Sequence, residues 1–447
     1  MKRSAWRYLW TTHDIRQKLL ITLGILAIYR FAAHVPVPGA NPEAIGAILG
    51  SNTGAGTLLG LLDLLSGGTV SKFSVLAMGV YPYITAQIII QLLTPIIPAL
   101  QKRMEDDPRE GRKWQEKWTY ILAVPMAALQ AVGQINIFNS FAAQAGLPPV
   151  ITDFGVSSFI PSLAIILSMT AGTMFAIWLG ELISEYGIRN QGLSLIIFAR
   201  IVSRIPFTLR TIWADEQNRW ISLIFTFIFT SLIIFAIIVV QQGRRNVPVM
   251  YPGRRVGSRM SMPVKGTLPL MVNMAGMIPI IFAQALLTFP SILASFFTGS
   301  SNETIANIAN QIVNLFGGNS NFYWIMYFFG VVLFSFFYTD VLFAQQNYGE
   351  NLKRVGAQIP GVARGVPTQR YLTRVLRRIT LPGALFLGLV AVLPWLVGLV
   401  IPFAQNTGLM LVSSAGLLIV VGVVRDTFFN IDAELKLRGH EDTLLVR

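Results

Sequence analysis

The chain has 447 residues, of which 53% are hydrophobic and only 13% are charged. Soluble domains carry about 25% charged residues, so this composition excludes an ordinary soluble domain and indicates a protein that crosses a membrane several times. The chain has no cysteine, which excludes disulfides, thiolate metal sites and cysteine nucleophiles. Its histidines, His13, His34 and His440, lie outside any metal-ligand spacing, so no metal or other cofactor is expected.

The net charge of +14 follows the topology of such a protein. Cytoplasmic loops of membrane proteins are enriched in Lys and Arg. Of the 35 Lys and Arg residues, 29 fall in six segments that alternate with apolar runs: 1–18, 101–117, 184–190, 242–266, 345–378 and 425–447. The charge therefore indicates which loops are cytoplasmic, and it is weak evidence for a nucleic-acid partner.

The first 18 residues place Trp6 and Trp10 four apart among basic residues, which is typical of a helix on the cytoplasmic interface. The run 19–33 follows as the first predicted span. It resembles a signal peptide superficially. However, Arg30 interrupts it and no small-residue cleavage site follows, so we expect it to be retained.

Residues 54–98 contain two apolar segments of unequal length. The second, 73–93, carries no charge and is long enough to cross a bilayer of about 30 Å. The first, 57–65, spans less than half of that thickness at about 1.5 Å per residue. Two interpretations remain open: a half-length helix that closes a pore from within the protein, or a helix lying on the outer leaflet.

The remaining predicted spans are 118–138, 159–183, 193–205, 220–240, 268–289, 322–344, 379–399 and 408–424. The fifth, 193–205, is short and contains Arg200 and Arg204, which are costly at a lipid-exposed helix centre. Parity requires it nonetheless, because the chain must cross an odd number of times between the outer loop 141–158, which has no Lys or Arg, and the basic loop 242–266. Its arginines must therefore face water or protein.

These spans predict an all-α integral membrane protein with ten transmembrane helices and both termini in the cytoplasm. Ten spans divide into two five-helix halves, 1–212 and 213–447. An odd number of spans in each half would give the halves inverted pseudo-symmetry. The sequence shows no obvious internal identity, so the symmetry is a possibility only.

An ordered set of motifs resembles one family. The outer-loop motif Val35 to Pro42 is followed by Leu65 to Gly68, Pro82 to Ile84, Ile88 to Thr94, Gly172 to Phe175, Trp178 to Glu181, Leu268 to Leu270, Val272 to Gly276 and Pro279 to Ala283. Each match alone is weak, but together and in this order they resemble the SecY family, the channel-forming subunits of the bacterial Sec protein translocon. The resemblance extends from about Ile15 to Asp426.

The resemblance implies that the short segment is a plug helix, at about 56–67, which seals the outer funnel. Asp63 is unusual there, since this position is more often uncharged in the family. The implied plug residues are Thr57, Leu58, Leu59, Leu61, Leu62, Asp63, Leu64 and Leu65.

The resemblance also implies a pore ring of aliphatic side chains. Such a ring binds no ion or water tightly and can close by dewetting. Pairs within one helix are four residues apart and therefore share a face. Carried over by motif, the ring comprises Val80, Ile84, Leu193, Ile197, Ile281 and Ile419.

A lateral gate between the second and seventh spans is implied as the exit for segments that remain in the membrane. Pro279 and Pro290 would weaken or end the seventh helix and so help it to move. The candidate gate residues are Thr85, Ile88, Leu92, Ile278, Gln284 and Phe289.

The basic loops 242–266 and 345–378 resemble the family's docking surface for the ribosome and the SecA motor ATPase. The family's docking arginine falls at Ala363 here, and Arg364 follows it. Arg200 and Arg204 likewise replace the family's usual small residues. The candidate docking residues are Arg244, Arg245, Arg254, Arg255, Arg259 and Arg364.

The leading hypothesis is therefore a channel in the bacterial cytoplasmic membrane that passes unfolded polypeptides and releases transmembrane segments into lipid. It would have no catalytic residues. Its implied partners are the small subunits SecE and SecG, the SecA motor, the ribosome, signal peptides and nascent chains. A secondary transporter would need a midplane site, for which Asp63, Glu181 and Asp340 are the few intramembrane acids. An intramembrane enzyme would need paired carboxylates or a histidine motif on a span, and none is present in the sequence.

Overall fold

A computed structural model describes residues 13–41, 73–144, 148–151, 154, 158–189, 191–203, 205–214, 219–252, 255–256, 259–260, 264–297, 302–316, 320–400 and 414–437. The plug segment, including Asp63, lies outside these residues, as do Arg204 and Arg254. The elements of the N-terminal half are α1 His13–Ala32, α2 Tyr81–Ile96, α3 Pro98–Asp106, α4 Pro108–Gln144, α5 Phe159–Tyr186, α6 Gly192–Val202 and α7 Ile205–Ala214. The rest are α8 Arg219–Gln242, β1 Arg244–Tyr251, β2 Arg255–Val256, β3 Arg259–Met260, β4 Val264–Met271, α9 Ile278–Ser295, α10 Glu303–Phe316, α11 Asn321–Gln346, α12 Tyr348–Arg354, α13 Val366–Val400 and α14 Ser414–Leu437.

Six described helices are long and apolar enough to cross a membrane, and the number is seven if one bent pair is counted as a single span. The six lie in α4, α5, α8, α9, α11 and α13, and the pair is α2 with α3. The first helix, α1, is not among them because it is too highly charged. Any 18 consecutive residues of α1 include Arg16, Lys18 and Arg30, whereas such a span holds at most two charged residues. The fifth predicted span corresponds to α6, which has only 11 residues.

The second predicted span is shorter than the sequence suggests. Residues 73–80 form turns, and α2 begins only at Tyr81, with Pro82 in its first turn. Proline suits that position because its fixed φ fits a helix and its missing N–H needs no partner there. At the other end the chain bends by 94° before Pro98 begins α3. The prediction of a continuous helix over 73–93 was therefore wrong in its first eight residues.

The described helices contact one another as two bundles. In the first, α4 packs on α2, α3 and α5, and α5 packs on α1 and α6. In the second, α13 packs on α11, α12 and α14, while α9 packs on α11 and α8 packs on α14. The bundles meet along two seams. One joins α2 and α4 to α9, and the other joins α6 to α14.

Close backbone contact explains how the short helix α6 fits within the first bundle. A Cβ added to Gly192 would lie 1.6 Å from the carbonyl oxygen of Gly180 in α5. A side chain at residue 192 is therefore excluded by the backbone of α5, and only glycine permits this crossing.

The loop predicted at 242–266 belongs to a β-hairpin, which the sequence analysis missed. Its second strand, β4, extends to Met271, so the prediction that the seventh span begins at Leu268 was wrong, and α9 begins only at Ile278. β1 pairs antiparallel with β4 from Arg244↔Met271 to Tyr251↔Val264. The backbone of Met250 also exchanges hydrogen bonds of 2.8 and 2.9 Å with Gln358, which belongs to the other basic loop. We call residues 244–271 together with 347–378 the basic module. Its shared core is formed by Val247, Val249, Leu270, Leu352, Ala357, Ile359, Leu372, Val375 and Leu376, with Phe343 of α11.

The predicted outer loop 291–321 also contains a helix, α10, which the sequence analysis did not anticipate. Its apolar residues Ala309 and Val313 pack against Ala294 at the end of α9. An amphipathic helix of this kind gains its stability from the face that it buries, so its packing on α9 matters more than its composition.

Candidate functional site

The seam between the two bundles carries polar contacts between side chains in otherwise apolar helices. The hydroxyl of Tyr81 in α2 lies 2.9 Å from Oγ1 of Thr288 in α9. Further along α2, the side chain of Gln91 hydrogen-bonds with Tyr338 of α11. The helices of this seam therefore contact one another through bonds that must break if the bundles separate here.

The predicted gate residues lie in α2 and α9 but do not all face this seam. Oγ1 of Thr85 donates to the carbonyl oxygen of Pro82 at 2.8 Å and lies 3.3 Å from Nε2 of Gln130, which donates to it from α4. Thr85 therefore faces α4 rather than α9, whereas Phe289 is 41% exposed. Ile88 is buried, and the remaining predicted gate residues, Leu92, Ile278 and Gln284, are partly buried.

The six predicted ring residues belong to one hydrophobic cluster, which brings together α2, α6, α9 and α14. Val80 and Ile419 are buried in it, at 1% and 7% exposure. The others, Ile84, Leu193, Ile197 and Ile281, are partly buried and pack against it. The cluster extends well beyond these six residues. Leu193 also packs on α5, where a Cβ on Gly180 would lie 3.0 Å from its Cδ2.

Arg200 lies in this neighbourhood and is only 2% exposed. Its Nη2 donates to the carbonyl oxygen of Ala77 at 3.4 Å. A Cβ on Gly79 would lie 1.5 Å from its Nη1, so the guanidinium lies directly against the Gly79 backbone. Arg200 therefore faces protein, as the sequence analysis required. It supports the turn that leads into α2 and thus the position of Val80.

The other seam is joined by charge and backbone contacts. The Lys18 ammonium of α1 pairs with the Glu434 carboxylate of α14, and each side chain is 23% exposed. Nearby, Nδ2 of Asn430 donates to the carbonyl oxygen of Arg189 at 3.3 Å. These contacts join the first bundle to α14, on the side that α6 and α14 share.

The described docking candidates lie in the basic module. Arg244 and Arg245 are exposed on β1, and Arg364 is exposed in the turn before α13. Arg255 and Arg259 contribute backbone to the short β2–β3 hairpin. Within the module, burial raises the pKa of Tyr348, because desolvation disfavours its phenolate form.

The two intramembrane acids within the described residues each bind a neighbour. Glu181 accepts a hydrogen bond from the Tyr120 hydroxyl. Asp340 forms a bidentate ion pair with Arg377, with Nη2 to Oδ2 at 2.8 Å and Nε to Oδ1 at 3.2 Å. Neither acid points to a midplane substrate site.

Two apposed helical bundles, with six described helices long and apolar enough to cross a bilayer, define a polytopic membrane protein. A solved structure of a protein conducting channel matches the fold with a TM-score of 0.63, at 17% identity, over 94% of this chain and 92% of that one. A second, a SecY protein whose plug domain is described as stabilising the closed channel, gives a TM-score of 0.59 at 18% identity over the same shares.

Sequence comparison names the family. The SecY family profile matches residues 74–428. The protein translocase subunit SecY of Aquifex aeolicus is 38% identical over 432 residues, which is 96% of each chain. Those of Mycobacterium tuberculosis and Streptomyces scabiei are 37% and 34% identical, each over 443 residues and at least 97% of either chain. The chain belongs to the SecY family, and the resemblance drawn from its motifs is confirmed.

Proposed function

We propose that the chain is the protein-conducting channel subunit of a Sec translocon. It passes unfolded polypeptides across the membrane and releases transmembrane segments sideways into lipid. The observation that carries this proposal is the relationship to protein translocase subunits over nearly the full length of both chains. The secondary transporter gains no support, since the described intramembrane acids bind neighbouring side chains.

The proposed architecture has ten spans in two halves, 1–212 and 213–447, with inverted pseudo-symmetry. The grouping of helix contacts into two bundles supports this division, except that the short α7 at the boundary packs on α8 of the second bundle. The seam of α2 and α4 with α9 would open as the lateral gate, and the seam of α6 with α14 would act as the hinge. The ion pair between Lys18 and Glu434 supports the choice of the second seam as the one that stays closed.

The proposed translocation path combines the plug at about 56–67 with the ring of Val80, Ile84, Leu193, Ile197, Ile281 and Ile419. Its support is that four helices, two from each bundle, contribute these aliphatic side chains to one cluster. A narrow apolar constriction excludes water and ions but accepts dissimilar side chains as they pass.

The proposed partners are SecE, SecG, the SecA motor, the ribosome, signal peptides and nascent chains. The protein would lie in the bacterial cytoplasmic membrane, with both termini and the basic module in the cytoplasm. Exposed arginines on a module with its own apolar core support docking there, because a rigid surface holds its charges in a fixed pattern.

Reconstitution tests the function directly. The chain, co-expressed with the small subunits of its own translocon, is placed in vesicles and supplied with a SecA-type motor, ATP and an unfolded precursor. We expect the precursor to become protected from external protease only when motor and ATP are both present. Ion-gradient-driven uptake of a small solute, with no precursor protection, would favour the transporter instead.

A further inference from the structure

A row of arginines on α13 has no part in the path or gate described above. Arg370, Arg374, Arg377 and Arg378 are all exposed. Together with Gln369, Thr373 and Leu381 they line a groove of about 670 Å³. The row belongs to the basic module and lies at its junction with the apolar part of the helix.

Two groove residues are already engaged by the protein itself. The carboxamide oxygen of Gln369 accepts a hydrogen bond from the Gly349 backbone at 2.8 Å, which ties the groove to the start of α12. Arg377 is paired with Asp340. Within the described part of the chain, no ion pair involves Arg370, Arg374 or Arg378. These three guanidinium groups therefore keep their charge available to a ligand.

The same face of α13 continues as an apolar stripe. Leu381, Leu385 and Leu389 are 53%, 41% and 50% exposed and follow Arg374 and Arg378 at steps of three or four residues. Residues at that spacing share one face of a helix. On a membrane-spanning helix, exposed leucines border lipid chains, so the change from leucine to arginine marks the headgroup level.

From this juxtaposition we propose that the groove binds an anionic phospholipid. Its phosphate lies between Arg374 and Arg378, with Arg370 alongside, and one acyl chain follows Leu381, Leu385 and Leu389. Guanidinium groups bind phosphate through paired N–H donors, and basic pockets at the cytoplasmic side of spanning helices suit anionic headgroups. A lipid is favoured over a soluble macromolecule because only a lipid uses the leucines and the arginines together. The proposal rests on the proposed orientation of α13, with its basic end at the cytoplasmic leaflet.

The absence of cysteine allows a direct test. A fluorophore is attached to a single Leu381→Cys variant in phosphatidylcholine vesicles that contain either brominated phosphatidylglycerol or brominated phosphatidylcholine. The ratio of quenching by the two lipids measures preference for the anionic one, and depth effects cancel in the ratio. Leu232→Cys on α8, which is 63% exposed and distant in sequence from any arginine, is the matched control site.

We expect the anionic lipid to be preferred at Leu381 by roughly fivefold for each contributing arginine, and the ratio at Leu232 to stay near one. Arg374→Gln with Arg378→Gln should remove most of the preference and leave the part contributed by Arg370. The matched lysine pair should retain more of it, because lysine keeps the charge but lacks the paired N–H donors of a guanidinium group. Asp340→Asn should raise the preference, since it releases Arg377. Because this variant should raise the preference whereas the glutamine pair lowers it, the two together distinguish a binding role from general damage to the helix.

Three outcomes overturn the proposal. A ratio near one at Leu381 in the otherwise unchanged protein removes it outright. Loss of the preference on addition of excess inorganic phosphate at constant ionic strength indicates a site for a soluble anion. An unchanged ratio in the double glutamine variant, together with weaker binding of the motor or ribosome, assigns the arginines to a macromolecule. None of these readouts depends on translocation, so failure here leaves the channel function to its own test.

Discussion

At the scale of single residues, the proposed pore ring makes a prediction about the seal of the resting channel. Ile419 is 7% exposed and sits in α14 among aliphatic side chains from three other helices. A closed apolar constriction depends on the absence of any group that holds water. One polar atom at such a position therefore matters more than a loss of packing volume.

Ile419→Asn should make the resting channel leak ions, because an amide would hydrate a constriction that closes by dewetting. Ile419→Val is the control, since it shortens the side chain without adding a polar group. Single-channel recording measures the resting conductance of each variant. Equal conductance in the Asn variant and the unchanged protein would remove Ile419 from the ring.

The second residue-scale prediction concerns the contact between Arg200 and Gly79. Gly79 has φ +54° and would meet Arg200 with any side chain, whereas Gly276 has φ +64° with nothing within 4 Å of its Cβ position. Gly276→Ala should cost about 1–3 kcal/mol of stability from backbone strain alone. Gly79→Ala should lose more stability than Gly276→Ala, because the new methyl group meets Arg200. Adding Arg200→Ala to Gly79→Ala should recover this additional loss. Thermal unfolding in detergent measures all three, and equal costs for the two glycines would contradict the contact.

Sequence reasoning could predict that Arg200 faces protein or water, because the cost of exposing it to lipid is general. It could not predict the partner. Gly79 lies 121 positions earlier, and nothing in its sequence neighbourhood indicates a guanidinium. For Thr85, the sequence suggested the wrong direction for the side chain. Its sequence position next to Ile84 suggested the seam, but a one-residue step on a helix turns a side chain by about 100° and directs it to Gln130.

At the scale of elements, long apolar runs were predicted well and local breaks were not. Hydropathy located α4, α5, α8, α9, α11 and α13, because burial in lipid selects continuous apolar helices. The start of α2 and the β1–β4 hairpin were missed, since both depend on contacts outside their own segments. The hairpin, for example, is completed by the backbone of Gln358.

The contact between α2 and α9 gives an element-scale prediction. Tyr81→Phe removes the hydrogen bond to Thr288 but keeps the ring, and a hydrogen bond of this kind contributes about 1 kcal/mol. The seam should therefore part more easily, with roughly fivefold higher transport of precursors that carry weakened signal segments. Tyr186→Phe, at an exposed tyrosine away from this seam, is the control. If both variants transport such precursors at the unchanged rate, the Tyr81 bond does not hold the gate.

For the whole molecule, the two seams differ in the kind of contact that closes them. The α2–α9 seam relies on neutral hydrogen bonds, whereas the other adds the ion pair of Lys18 with Glu434. Charge-assisted hydrogen bonds are roughly twice as strong as neutral ones. On this basis we expect the molecule to open preferentially at the neutral seam, while the ion pair holds the bundles together at the other.

The basic module is the surface on which we expect the partners to bind. Its two loops share one core, so charges on β1 and in the turn before α13 are held in a fixed relation.

Arg244→Glu, Arg245→Glu and Arg364→Glu together should weaken binding of the motor and the ribosome, most strongly at low salt, where screening is least. Ribosome binding should also become less steeply dependent on salt, since fewer phosphate contacts release fewer counterions. Arg109→Glu, Arg112→Glu and Lys113→Glu together, at exposed basic residues outside the module, make the same change in net charge and are the control. Affinities measured across a salt series decide the assignment. An equal loss in this control variant would mean that total charge, and not this surface, attracts the partners.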